Sequence, residues 1–210
     1  MRAWIFGAVD ARAEDILFYK RLKFGKDDLI ICADGGYNTA SLIGITPSVV
    51  IGDMDSVRGK IPESIKKIVH PKIKDKTDMH LCIDYALDNG YTEIIMLCAF
   101  GGRIDHSLAS VFLLRYIIEK GAEGMLLTKR SKVFAINGKT EISRGEYSKI
   151  SLIPLTDTVE GVTTTGLQYA LEGATLYQTQ NLGISNAFCG SSAEVQISRG
   201  ILCIVCEIDE

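Results

Sequence analysis

The sequence has no basic excess: 23 Lys and Arg face 26 Asp and Glu, leaving a formal charge of −3. A surface that holds nucleic acid by counterion release is therefore not expected. No apolar run approaches the ~20 residues that cross a bilayer. The amino terminus, MRAWIFGAVDARAED, has a brief apolar patch and no small-residue cleavage pattern, so it reads as a first strand and not as a signal peptide. The cytoplasm is the expected location. There is no G-x-x-x-x-G-K-[ST] segment, which argues against a P-loop kinase. What remains is a chain of 210 residues, 47% hydrophobic and 23% charged, long enough for one large domain or two modest ones.

Six cysteines raise the question of disulfides or zinc. Cys32 and Cys98 lie in strand-like runs and Cys82 in a helical pattern, where a free thiol behaves as a small hydrophobe. Cys203 and Cys206 form a C-x-x-C within "LCIVCEI". Residues three apart in a strand point to opposite faces, so the pair is not expected to chelate or bridge.

Apolar runs alternate with amphipathic stretches in the first half. Residues 3–9, 28–34, 48–53, 92–100 and 123–128 read as strands, and 13–24, 36–43, 77–89 and 105–120 as helices. Short strands apolar on both faces and separated by helices suit a mostly parallel, doubly wound α/β sheet. Thr77 precedes a helix striped by Leu81, Ala86 and Leu87 and stopped by Gly90. The helix opened by Asp105 is so apolar around 111–118 that a central, buried position is expected. From about residue 131 the composition turns to Thr, Val, Ile, Gly and Ser with closely spaced turn signals, which predicts an all-β sandwich or roll. The expected domains are residues 1–130 and 131–210.

Ligands of open parallel sheets sit beyond the carboxyl ends of the strands. Following each strand to its end reaches Asp34 in "LIICADGG", Asp53 and Asp55 in "VVIGDMD", and Arg103 and Asp105 in "IIMLCAFGGRIDH". Asp78 opens a helix after "KIKDKT". Carboxylates gathered on one edge repel unless a cation compensates, and Mg²⁺ takes oxygen ligands from carboxylates and substrate phosphates. If the backbone stays extended, Asp53 and Asp55 point the same way roughly 7 Å apart. Taken singly, each signal also has a plain reading: a turn with solvated acids, glycine turn chemistry after Asp34, helix N-caps at Thr77 and Asp105. The lysines at 60, 66, 67, 72, 74 and 76 read as a solvated face, with Lys74 and Lys76 as candidates for a phosphate clamp.

The segments "ADGGYNTA", "VVIGDMDSV", "KDKTD" and "GGRIDHSLAS", with "GLQYAL" and "SNAF" in the β region, resemble the thiamine pyrophosphokinase family from about residue 29 to the end. The resemblance implies an α/β domain that binds ATP and Mg²⁺, a β-sandwich that binds thiamine, and a homodimer with active sites between subunits. It implies transfer of a pyrophosphoryl group from ATP to thiamine, giving thiamine diphosphate and AMP. Asp53, Asp55 and Asp78 are then the metal ligands, while Asp34, Lys74, Thr77, Arg103 and Asp105 surround the phosphates and the reacting hydroxyl. Asp78 or Asp105 handles the hydroxyl proton. Tyr169 stands where some members carry a stacking tryptophan, beside Ser185 and Asn186; the only tryptophan here is Trp4. His80 replaces an acid common in relatives and is given no metal role. Two other functions compete: a glycosyltransferase using D-x-D to hold a nucleotide sugar, which leaves "GGRIDH" without a role, and a binding protein without turnover.

Overall fold

The computed structural model describes residues 1–209. The chain divides into a unit spanning Met1–Lys129 and a second beginning at Arg130. In the first, strands β1 (Arg2–Phe6), β2 (Leu29–Ala33), β3 (Val49–Gly52), β4 (Lys66–Val69), β5 (Glu93–Leu97) and β6 (Glu123–Leu127) lie in the order β6-β5-β1-β2-β3-β4. Every pairing among them is parallel. Four helices connect them: α1 (Ala13–Tyr19), α2 (Gly36–Leu42), α3 (Asp78–Asp88) and α4 (Ile104–Glu119).

Side chains alternate across these strands. Trp4, Phe6, Cys32, Val50 and Leu97 pack with Tyr19 of α1 and with Tyr37 and Ala40 of α2. The intervening Ala3, Ile5, Ile31, Ile51 and Met96 are also buried, and α3 packs against β1, β2 and β3. Strands with both faces covered and helices on either side make a doubly wound sheet, as the apolar runs require. The buried residues of α3 are Cys82, Ile83 and Ala86, so its inward stripe is displaced from the predicted Leu81 and Leu87, which are half-buried.

Two expectations need correction. The helix α4 is not central: Ser107, Ser110, Leu113, Leu114 and Ile117 face inward, while Ile104, Leu108 and Phe112 are exposed at i, i+4, i+8 spacing. It packs against β6, the end strand of this unit's parallel order, so only one of its two apolar faces has a sheet to cover. Strand β4 was not foreseen. Its sequence "KKIV" lacks an apolar run because it is outermost, with Lys66, Lys67 and Val69 exposed.

The second unit is entirely β. Strands β7 (Ser131–Ile136), β9 (Lys149–Pro154), β12 (Asn186–Ala187) and β14 (Leu202–Glu207) run in the order β12-β9-β14-β7. Strands β8 (Lys139–Ser143), β10 (Thr158–Thr165), β11 (Ala174–Tyr177) and β13 (Ser192–Gln196) run in the order β11-β10-β13-β8. All pairings are antiparallel. A shared core of Ile150, Leu152, Val162, Leu176, Val195 and Ile204 draws on both sets, which makes this a sandwich. Cys206 faces that core, while Cys203 is buried outside it; both thiols are free. Among the described residues, no helix is long and apolar enough to cross a membrane.

Close packing of α2 on the sheet depends on glycine. A Cβ on Gly36 would lie 1.9 Å from the Phe6 carbonyl oxygen. Gly36→Ala is expected to destabilise the α/β unit by about 3 kcal/mol, lowering its Tm by roughly 6–12 °C. Gly138→Ala, where an added Cβ meets nothing within 4 Å, should leave thermal unfolding unchanged.

Candidate active site

The carboxyl ends of the parallel strands frame a cavity of about 470 Å³ lined by the segment after β1 (Gly7–Asp10), Ser56, the start of α3 (Thr77, Asp78, Met79), Cys98 and Ala99 after β5, and the start of α4. Its lining mixes apolar residues such as Ala8, Val9 and Met79 with the charged Asp10, Asp78 and Arg103.

Neighbouring strands deliver the acids. Asp34 follows β2 and is held by its amide, which donates to the Ile51 carbonyl at 2.9 Å. Asp53 follows β3 directly. Beyond Gly52 the backbone turns and the condition of continued extension is not met: Met54 adopts φ +66°, and the Asp55 amide donates to Asp53 Oδ1 at 3.1 Å. An aspartate that bonds the backbone two residues on forms an Asx turn. The turn folds Asp53 and Asp55 back towards Asp34, so one carboxylate oxygen of each lies within 4.8 Å of the others.

Gly52 makes this approach possible. A Cβ there would lie 2.8 Å from the Asp34 Cβ and 3.2 Å from the Asp78 Cγ. Asp34 is itself left-handed (φ 45°), a conformation Asp tolerates better than most residues. It is 4% exposed, and its Oδ1 is buried without a hydrogen-bond partner. Burial first, then the charges of Asp53 and Asp78, push its pKa above the ordinary carboxylate value, against hydrogen bonds from Ser56. The donor set is all carboxylate oxygen, and one of its members, Asp34, has a buried oxygen with no hydrogen-bond partner among the described residues. Such a set suits a hard divalent cation such as Mg²⁺.

The grouping differs from the expected ligand set of Asp53, Asp55 and Asp78. Asp34 completes the triplet, and Asp78 stands beside Gly52 with Lys74 Nζ 3.0 Å from its Oδ1, an ion pair by distance whose direction does not make a hydrogen bond. Lys72, read from sequence as a solvated lysine, lies 2.7 Å from Asp55 Oδ2 and is the first cause holding that carboxyl below its usual range. No motif marks Lys72; its position opposite the Asx turn arises only from the fold. Lys76 pairs with Asp84, which also accepts from Tyr116 Oη at 2.6 Å, whereas Lys74 pairs with Asp78. His80 packs on the Tyr116 ring at 4.6 Å, and burial lowers its pKa.

Thr77 caps α3, its Oγ1 accepting from the His80 amide at 3.3 Å, while its position still borders the cavity. Helix α4 begins one residue before Asp105, which is therefore in the first turn and not the cap. Arg103 grips Asp105 through Nε at 3.1 Å and Nη2 at 2.6 Å, and this fork holds the Asp105 carboxyl below the usual range. Both side chains are exposed.

In the β unit, Tyr169 is 65% exposed. Asn186 is buried, and its carboxamide accepts from the Tyr169 amide at 3.0 Å and donates to the Tyr169 carbonyl at 2.7 Å. Its polar atoms are thus committed to the backbone that carries the ring. Ser185 is exposed, with φ +60° and its amide donating to Ser151 Oγ at 3.0 Å.

Comparison with known proteins gives two family models in succession: "Thiamin pyrophosphokinase, catalytic domain" over residues 21–126 and "Thiamin pyrophosphokinase, vitamin B1 binding domain" over residues 139–202. The chain is 29% identical over 188 residues to a thiamine pyrophosphokinase of Bacillus subtilis (strain 168), covering 86% of this chain and 88% of the relative. A crystal structure of thiamine pyrophosphokinase from Bacillus subtilis superposes with a TM-score of 0.88 at 24% identity over 100% of both chains. One from Geobacillus thermodenitrificans gives 0.84 at 26% identity, covering 100% of this chain and 99% of that one. With one model matching the half that carries the acid-bearing strand ends and the other matching the sandwich, the chain belongs to the thiamine pyrophosphokinase family of ATP-dependent pyrophosphokinases.

Proposed function

We propose that the chain transfers a pyrophosphoryl group from ATP to the hydroxyl of thiamine, giving thiamine diphosphate and AMP. The observation that supports this most is the triplet of Asp34, Asp53 and Asp55 oxygens within 4.8 Å of one another, next in sequence to Ala33 and Ser56, which line a cavity of about 470 Å³. These acids hold Mg²⁺, with Asp78 beside them, and the ion when bound neutralises polyphosphate charge. Lys74, Thr77 and Arg103 position the phosphates, Arg103 with a planar fork of donors. Attack on the β-phosphorus spreads negative charge over phosphoryl oxygens, so positioning and charge stabilisation are the protein's main task.

Asp78 is the better candidate to orient the thiamine hydroxyl or take its proton. The Arg103 fork makes Asp105 a weak proton acceptor, and Asp105 instead keeps Arg103 aimed. Tyr169 provides an aromatic wall for the thiazolium, Asn186 acts by fixing the Tyr169 backbone, and Ser185 lies alongside. A cytoplasmic homodimer completes the reading.

Incubation with ATP, thiamine and Mg²⁺ should yield AMP and thiamine diphosphate in equal amounts; formation of neither refutes the proposal. Asp53→Asn should raise the Mg²⁺ concentration for half-maximal activity about tenfold or more, and an unchanged requirement would remove the metal role. Asp78→Asn should lower kcat by about 10²–10⁴, the usual worth of a general acid or base, with a smaller loss in Asp105→Asn; the reverse order would exchange their roles. Tyr169→Ala should raise the thiamine KM about 2- to 30-fold, the equivalent of a cation–π contact, with less effect on turnover.

A further inference from the structure

The three carboxylates belong to two separate segments. Asp34 lies at the β2–α2 junction, and Asp53 and Asp55 lie on the turn after β3. Pairing of the two strands ends at Ala33 and Ile51, one residue short of Asp34 and two short of Asp53. The Asp34 amide still bonds the Ile51 carbonyl, and beyond that bond the turn carrying Asp53 and Asp55 is placed by contacts past the strands.

Asn38, on the first turn of α2, spans that gap. Its Nδ2 donates to the Ser56 carbonyl at 3.0 Å, and its Oδ1 accepts from the Arg58 amide at 2.7 Å. The two contacts use the donor and the acceptor of one carboxamide, so a side chain with only one of these functions cannot make both. The residue it holds, Ser56, is in turn tied to the acids: its Oγ donates to Asp55 Oδ1 at 3.0 Å, and it is a neighbour that favours the charged form of Asp34. Asn38 is also anchored at its own backbone, its amide donating to the Gly35 carbonyl at 3.0 Å beside Asp34.

We propose that Asn38 is a positioning residue of the cation site: by clamping residues 56 and 58 to α2 it sets the distance between Asp34 and the Asp53–Asp55 turn. The inference rests on the proposed cation role of these acids. Groups that orient metal ligands without touching the metal commonly govern its affinity, and here the orientation acts on a whole turn. Arg58 meets Asn38 only through its amide; its guanidinium pairs with Asp10 at 3.0 Å, both side chains being exposed.

The test is direct titration of nucleotide-free protein with Mn²⁺, following the free ion by electron paramagnetic resonance, with hydrogen exchange on peptides covering residues 53–58. Asn38→Ala is expected to weaken Mn²⁺ binding about tenfold, as loss of a ligand-orienting group does, and to speed exchange in that segment while β2 and β3 keep their protection. Arg58→Ala retains the amide and should bind Mn²⁺ within twofold of the parent. Mn²⁺ affinity within twofold of the parent in Asn38→Ala, or a tenfold loss in Arg58→Ala, overturns the proposal. If Asn38→Ala does not fold, Asn38→Ser, too short to make both bonds, is held to the same criterion. Asp53→Asn run alongside separates the two levels: weakened binding there with none in the Asn38 variant sinks only the role of Asn38. Unweakened binding in Asp53→Asn sinks the cation reading and this inference together.

Discussion

Bringing three carboxylates within 4.8 Å of one another is the constraint around which the α/β unit is arranged. Burial, joined by the charges of Asp53 and Asp78, raises the pKa of Asp34. The surrounding sequence offsets the crowding with backbone freedom and with cations. Gly52 omits a side chain where Asp34 and Asp78 converge, Met54 takes a left-handed turn, and Lys72 and Lys74 each approach one acid. Non-glycine residues at positive φ concentrate where a structure over-determines its backbone for a task. Asp34, Met54 and Cys98 all lie just beyond the carboxyl ends of β2, β3 and β5.

The two units use one device in different settings. Asn38 and Asn186 each spend both functions of a carboxamide on the backbone of a distant segment, one holding the acid turn and the other holding the residue that carries an exposed aromatic ring. An amide matched to a neighbouring N–H and C=O fixes position without adding charge. That matters beside a cluster already dense in negative groups.

Much of this architecture could be read from the chain because strand runs with β-branched residues and interleaved helical stretches leave few alternatives. Asp34, Asp53 and Asp55 were legible for the same reason: each follows closely on a strand. The failures share a cause. Strand β4 and the salt bridge from Lys72 depend on what lies next to them in space, which periodicity does not report. Helix α4 read as central because it is apolar nearly all round, yet hydrophobicity does not say which face a sheet covers. The approach of Asp34 to Asp53 and Asp55 was not legible, because a D-x-D after a strand suits either a turn or continued extension and only the Asx turn brings the three together.

The outermost position of β4 has a bearing on solubility. A free strand border presents unpaired amides and carbonyls that a stray polypeptide can extend. Here that strand carries the exposed lysines Lys66 and Lys67, so docking another strand would desolvate or crowd charged side chains. The same residues that hid β4 from a search for apolar runs thereby discourage its use as a seed for intermolecular stacking.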